Sequence, residues 1–137
     1  MVNVDGVVAG NFRTGLLGRD LNRSFHHPEL LIEIGLIRSI ASMFKPMMFL
    51  DFHGHSSKKN IFAYGPDYSI DNKYFLLSRL LCKQISKHTK AFRYYGCSFK
   101  LSGHKKYTGR GVMLKQHQII YSFTIETSVF AYGPKRE

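Results

Sequence analysis

The chain has 137 residues, of which 20 are Lys or Arg and 9 are Asp or Glu, so its formal net charge is +11. This length accommodates one domain of ordinary size. A hydrophobic content of 44% and an aromatic content of 14% exclude a disordered polycation. No apolar run approaches the roughly 20 residues that span a bilayer.

The two cysteines, Cys82 and Cys97, are too few for a disulfide scaffold, and the first residues carry no secretory pattern. We therefore expect free thiols and a cytoplasmic protein. A pI near 9.8 favours an acidic partner. The basic residues occur only singly and in doublets, which is equally typical of a solvated surface and predicts neither nucleic-acid nor membrane binding.

Predicted helices and strands alternate along the chain. Residues 1–25 are rich in Gly, Asn and Asp, which predicts turns and loops. The apolar spacing from Glu29 to Phe44 predicts a helix with Pro28 in its first turn. Met47–Phe52 is apolar without alternation, as in a strand buried on both faces, and Asn60–Tyr64 predicts another strand.

The second half of the sequence continues this alternation. Ile70–His88 predicts a helix with an apolar stripe, which consists of Tyr74, Leu77, Leu80, Leu81 and Ile85. Phe92–Phe99 is expected to be extended, Val112–His117 is ambiguous, and Ile119–Ile125 is strongly β-prone. Helices that alternate with buried strands indicate an α/β layered domain.

Asp51-Phe52-His53-Gly54-His55-Ser56 is the densest polar cluster, and it follows a predicted buried strand. Ligands bind at the carboxyl ends of strands in open α/β sheets. A histidine there can donate a neutral imidazole to Zn²⁺ while a carboxylate fixes its tautomer. The alternative is that His53 is a hydrogen-bonded core residue and His55 a surface residue.

Two further candidates have weaker support. Asn22 and Arg23, with Arg13 on the same glycine-rich stretch, can together bind a carboxylate, although loop arginines are more often simply solvated. Glu126 ends an apolar strand, where burial would raise its pKa toward the range of a general base. The alternative is a glutamate that faces solvent at the strand end.

Several short motifs occur in one order over residues 3 to about 133, nearly the whole chain. They are Asn3–Val7, Gly10–Arg13, Asp20–Arg23, Asp51–Ser56 followed by Asn60–Gly65, and Tyr121–Glu126. This order resembles the zinc metallocarboxypeptidases, and most closely the cytosolic carboxypeptidases that trim glutamates from tubulin and other proteins. The resemblance implies a three-layer α/β/α domain with a mixed sheet.

The resemblance also implies a role for individual residues. His53 matches the third zinc ligand, and Glu126 matches the general base. Arg13 matches the arginine that stabilises the oxyanion of the scissile carbonyl. Asn22 and Arg23 match the pair that holds the terminal carboxylate of the substrate.

Two features depart from the family pattern. The first two zinc ligands of the family belong to a His-x-x-Glu motif that lies before the segment matched here, and His26-His27-Pro28-Glu29 lies on the wrong side of Asn22 to replace it. Zinc needs three protein ligands and a water, so the Zn²⁺ site is expected to be incomplete. Tyr107 is the candidate for the tyrosine that closes over substrate, and Arg110, with Lys105 and Lys106, is a candidate to meet an acidic side chain.

The leading prediction is a zinc metallocarboxypeptidase that removes C-terminal residues, expected to be glutamates, from proteins such as tubulin. Residues 1–137 would form one partial catalytic domain that lacks its N-terminal strands and is inactive alone. The alternative is an inactive remnant or binding module that recognises acidic C-terminal peptides. A general polyanion binder is the third possibility.

Overall fold

The computed structural model describes residues 1–133, and these form four α-helices, three 3-10 helices and three strands. The α-helices are α1 (Val4–Val8), α2 (Ile32–Phe44), α3 (Tyr74–His88) and α4 (Gly109–Lys115). The strands are β1 (Met48–His55), β2 (Ile61–Tyr64) and β3 (Tyr121–Ser128). The 3-10 helices are Leu21–Arg23, Tyr94–Gly96 and Gly103–Tyr107.

The three strands form one mixed sheet in the order β1-β3-β2. β1 runs parallel to β3, and β2 runs antiparallel to it. His53 lies opposite Glu126, and Glu126 in turn lies opposite Phe62 of β2. Because side chains alternate along a strand, these three residues share one face of the sheet.

The two faces of the sheet carry separate hydrophobic clusters. On the face of His53, α2 and α4 pack together around Ile34, Val112 and Met113, with Phe49 of β1 against them. On the opposite face, α3 packs over β2 and β3 around Ala63 and Phe123. The arrangement is a partial three-layer α/β/α domain, so the predicted fold class is confirmed.

The first predicted helix is correct in its core but begins later than expected. α2 starts at Ile32, and residues 28–31 form turns, so Pro28 lies outside the first turn. Ile34 and Ala41 are buried as their spacing predicts. The helix ends at Phe44, which is exposed, and the capping residue Lys45 has a left-handed φ of 44° just before Pro46.

The prediction that the Met47–Phe52 strand is buried on both faces is wrong. Burial alternates along β1, and Phe52 is 72% exposed. β1 is an edge strand of the described sheet, and α3 covers β2 and β3 on that face rather than β1. The outward row of Met48, Leu50 and Phe52 therefore contacts solvent along an open edge.

The buried face of the second long helix, α3, is rotated about the helix axis relative to the predicted apolar stripe. Ser78 and Cys82 are the buried residues of α3, whereas Leu77 and Leu80 are largely exposed. Small side chains at the two buried positions let the helix approach the sheet closely, and the Ser78 hydroxyl is satisfied by donating to the Phe75 carbonyl at 3.0 Å.

Two connecting segments also differ from expectation. Phe92–Phe99 is not one strand: Tyr94–Gly96 turns as a 3-10 helix, and only the single bridges Ile61↔Phe92 and Tyr64↔Ser98 join this segment to β2. The ambiguous segment near Val112 is helix α4, which Thr108 caps by accepting from the Gly111 N–H. Within residues 1–133, the chain forms no helix long and apolar enough to cross a membrane.

Candidate functional site

The candidate site lies on the α2–α4 face of the sheet, where β1 and β3 end. The parallel pairing aligns Asp51 with Thr124 and His53 with Glu126, so the imidazole and the carboxyl group emerge from adjacent strands. The 3-10 helix Leu21–Arg23 closes this side and contacts the 3-10 helix Gly103–Tyr107. The crevice therefore collects residues from four separate segments of the chain.

His53 is held by a carboxylate two residues earlier on its own strand. Its Nε2 lies 2.7 Å from Oδ1 of Asp51. This hydrogen bond raises the pKa of His53, while partial burial opposes the rise. A proton on Nε2 that is donated to Asp51 leaves the Nδ1 lone pair available as an acceptor or a metal donor.

Asn22 connects the crevice to α4. Its side-chain oxygen accepts the Gly109 N–H at 2.8 Å, which turns its amide nitrogen toward the strand. That nitrogen lies 3.3 Å from Oδ2 of Asp51 and 3.1 Å from Nε2 of His53. In this arrangement the Asn22 amide orients Asp51. A protonated Nε2 cannot accept from the amide, so the second N–H of Asn22 has no acceptor on His53.

The two predicted arginines lie at the rim of the crevice. Arg13 pairs with Asp20 at 3.6 Å, and its side chain is 61% exposed. Arg23 is exposed and donates to the carbonyl of Asn22 at 3.1 Å. Asp20 also caps the 3-10 helix by accepting the Asn22 N–H at 2.8 Å, so this one residue organises both arginine-bearing segments.

Glu126 is half-buried in the crevice and accepts no hydrogen bond from any residue in the described part of the chain. Burial raises the pKa of its carboxyl group, and the imidazoles of His53 and His55 oppose that rise. An unpaired carboxylate with a raised pKa is better suited to accept and return a proton than an ordinary surface glutamate.

Tyr107 lies on the rim, at the end of the 3-10 helix that contacts Leu21–Arg23. Its ring is stacked on His26 with the centroids 4.4 Å apart, and the residue is 38% exposed. His26 is thereby used in packing, and His27 Nδ1 pairs with Glu29 Oε1 at 3.0 Å. The side chains of the His-x-x-Glu sequence at 26–29 thus contact each other and Tyr107.

Arg110 does not face the crevice, which corrects the prediction that it meets an acidic substrate side chain. It is only 2% exposed, and its guanidinium donates to the carbonyls of Gly65 and Lys100. Burial lowers the pKa of Arg110 to about 10, which still leaves the side chain charged at pH 7. The residue fastens α4 to the end of β2, so its role in this structure is architectural.

Asp51 and Gly109 contribute to the site although neither was assigned a role from sequence. The signal for Asp51 was present, because an Asp-x-His spacing on a strand puts both side chains on one face. The Gly109 N–H carries no sequence signal, since any residue there supplies a backbone donor.

The described residues do not complete a zinc site. Within residues 1–133, no three His, Cys, Asp or Glu side chains are grouped so that they could hold a metal ion. Nδ1 of His53 is one donor where zinc takes three protein ligands.

Comparison with known proteins gives a consistent assignment. No family model matches the sequence. Cytosolic carboxypeptidase 2 of Macaca fascicularis is 36% identical over 148 residues, which covers 100% of this chain and 17% of the relative. Cytosolic carboxypeptidase 3 of Bos taurus is 38% identical over 136 residues, which covers 93% of this chain and 14% of the relative. The chain thus spans less than a fifth of the length of these relatives.

Solved structures give the same fold. A metallo-carboxypeptidase from Burkholderia cenocepacia superposes with a TM-score of 0.79 at 21% identity, over 93% of this chain and 34% of the other. A second, from Pseudomonas aeruginosa in complex with (2-guanidinoethylmercapto)succinic acid, gives 0.78 at 23% identity, over 93% of this chain and 35% of the other. The predicted carboxypeptidase-like fold and the resemblance to the cytosolic subfamily are confirmed.

Proposed function

Because this chain is homologous over its whole length to a segment of the cytosolic carboxypeptidases, we propose that it forms the second half of a catalytic domain that hydrolyses C-terminal peptide bonds in the cytoplasm. The observation that carries the proposal is the crevice itself. The carboxylate of Glu126 and the oriented imidazole of His53 emerge side by side from β3 and β1, and the exposed Arg23 follows Asn22, whose amide contacts His53.

Each residue has a role that its environment supports. Arg23, which is exposed and bonded only to a neighbouring carbonyl, binds the terminal carboxylate of a peptide. Glu126, with its raised pKa, takes a proton from the attacking water and returns it to the leaving amine. Arg13 stabilises the oxyanion once it exchanges Asp20 for the substrate. Tyr107 covers the substrate from the rim.

The described residues could supply only part of a metal site. A metal ion would polarise the scissile carbonyl and supply a nucleophile at neutral pH. His53 would be one of its ligands, through the nitrogen that Asp51 leaves free. Because the described residues lack the other ligands, we derive no catalytic step through zinc from this chain.

The distribution of charge favours an acidic substrate. From Asn72 to Ile125 the sequence contains no Asp or Glu, while the rest of the chain holds equal numbers of acidic and basic residues. The net charge of +11 therefore lies entirely within this segment. Its basic residues are Lys73, Arg79, Lys83, Lys87, Lys90, Arg93, Lys100, Lys105, Lys106, Arg110 and Lys115.

This basic segment includes one wall of the crevice. Lys105 and Lys106 are exposed on the 3-10 helix Gly103–Tyr107, and Lys105 Nζ lies 5.2 Å from the ring centre of Tyr64. Positive charge beside a carboxylate-binding residue attracts acidic peptides. We therefore infer a preference for glutamate-rich C-termini, of the kind found on tubulin, rather than for nucleic acid or membrane.

The proposal is tested by the affinity of the 137-residue chain for two fluorescent peptides of four glutamates, one with a free C-terminus and one amidated. One charge-assisted hydrogen bond contributes about 1.5 kcal/mol, so the free peptide should bind about tenfold tighter. Arg23→Gln should remove this difference. Lys115→Gln, at the exposed end of α4, should weaken both peptides equally. Equal affinity of the unsubstituted chain for the two peptides would refute the proposed carboxylate site.

A binding module without catalytic activity, which recognises acidic C-terminal peptides, is the second candidate, and the net charge of +11 is compatible with it. A chimera distinguishes the two, with this chain replacing the aligned segment of macaque cytosolic carboxypeptidase 2. Catalysis predicts release of C-terminal glutamate, and a loss of at least about 100-fold in the Glu126→Gln chimera. A folded chimera that binds zinc and peptide but releases nothing would identify a binding module.

A further inference from the structure

Helix α3, on the face of the sheet opposite the crevice, carries a row of positive charge. Arg79, Lys83 and Lys87 are spaced four residues apart, and this spacing puts them along one side of the helix. Lys83 and Lys87 are exposed, and Arg79 is partly exposed. These three residues are called the α3 basic row below.

No carboxylate in the described part of the chain pairs with the α3 basic row. The helix itself contains no Asp or Glu. Among residues 1–133, the ion pairs have Arg13, His27 and His53 as their positive partners, and none of them involves α3. Like charges four residues apart destabilise a helix, so the row opposes the stability of α3. Such an uncompensated local conflict is typical of a functional surface.

Two cations of the row are held in place by aromatic rings. Nζ of Lys83 lies 5.1 Å from the ring centre of Tyr94 and 5.8 Å from that of Tyr95. The guanidinium carbon of Arg79 lies 3.6 Å from the ring centre of Phe75, and its Nη1 donates to the Phe75 carbonyl at 2.8 Å. These contacts order the two side chains before any partner binds, which reduces the conformational entropy lost on binding.

From this arrangement we propose that the α3 basic row is a second binding site for glutamate-rich polypeptide, separate from the crevice. Successive cations are about 6 Å apart along the helix axis, because four residues rise about 1.5 Å each. Alternate side chains of an extended peptide are about 6.6–6.8 Å apart. The row therefore matches every second carboxylate of an extended glutamate segment. The choice of an acidic polypeptide as partner rests on the proposed function.

The test measures binding of an acetylated and amidated peptide of eight glutamates, which lacks the free carboxylate proposed for the crevice. Salt at about 150 mM largely screens exposed charges more than about 8 Å apart. Lys83→Gln/Lys87→Gln should weaken binding about five- to tenfold, because two direct ion pairs are lost. The matched control Lys45→Gln/Lys115→Gln removes two exposed charges at the C-terminal ends of α2 and α4, and should weaken binding less than about twofold.

The proposal for the crevice and the proposal for α3 fail in different ways. Arg23→Gln, which tests the crevice, should leave the affinity for the eight-glutamate amide unchanged. Failure of the carboxylate site in the crevice would appear as equal affinity for the free and amidated four-glutamate peptides. Failure of the α3 site would appear as equal affinity of Lys83→Gln/Lys87→Gln and its control for the eight-glutamate amide.

Chemical cross-linking locates the peptide on the unsubstituted chain and does not depend on the folding of a variant. A carbodiimide joins a carboxylate to an amine that it contacts, so we expect amide links from the eight-glutamate peptide to Lys83 and Lys87 in peptide mass spectra. Links confined to other lysines would overturn the proposal. Tighter binding of an oligothymidylate with eight phosphates, lost in Lys83→Gln/Lys87→Gln, would also overturn it and assign the row to nucleic acid.

Discussion

Replacement of Arg110 separates an architectural role from a substrate-binding role. In Arg110→Met, the carbonyls of Gly65 and Lys100 lose their donor, and the first of these bonds is buried. Each hydrogen bond from a charged donor contributes about 1.5–3 kcal/mol. Relief of the buried charge offsets part of this loss, because burial lowers the pKa of Arg110 to about 10 even though the charge of Asp67 opposes the shift. We expect a net loss of about 2–4 kcal/mol in the free energy of unfolding.

Urea denaturation followed by circular dichroism measures this loss. With a slope of about 1–3 kcal/mol per molar urea, the midpoint should fall by about 1–2 M. Lys115→Met is the matched control: it removes a positive charge from the same helix, but at an exposed position, and should change stability by less than about 0.5 kcal/mol. If Arg110→Met unfolds at the same urea concentration as the control, the inferred architectural role of Arg110 is wrong.

Two further predictions concern the exposed edge of β1 and the partly buried phenol of Tyr68. Phe52→Lys puts a charge on the exposed edge of β1 and should reduce self-association measured by light scattering. The control Val8→Lys puts a charge on the exposed helix α1 and should not. Equal self-association of the two variants would show that the β1 edge does not cause it. Tyr68 donates to the Ile120 carbonyl at 2.9 Å, and burial raises the pKa of its phenol. The unfolded phenol ionises near pH 10 and the folded one only above it, so stability should decline above pH 10. In Tyr68→Phe, the melting temperature should decline less steeply as the pH rises above about 10. A decline as steep as that of the unsubstituted chain would contradict the role of Tyr68.

The sequence alone determined the local chemistry of this protein. The period of the apolar residues gave α2, α3 and β3 within a few positions, because burial of one helix face or strand demands that period. The ordered motifs identified the carboxypeptidase-like fold, and the strand pairing then brought His53 and Glu126 together. Asp51 was also predictable, since its spacing from His53 puts both on one face of a strand.

Only the tertiary structure decided which of these residues are free to act. Nothing in the sequence distinguishes Arg110 from Arg23. In the structure Arg110 is buried and donates to two carbonyls, whereas Arg23 is exposed to solvent. The rotation of α3 and the exposed row of β1 likewise depend on which elements cover which face of the sheet. Burial and hydrogen-bond partners are set by contacts between segments far apart in sequence, and no local pattern encodes those contacts.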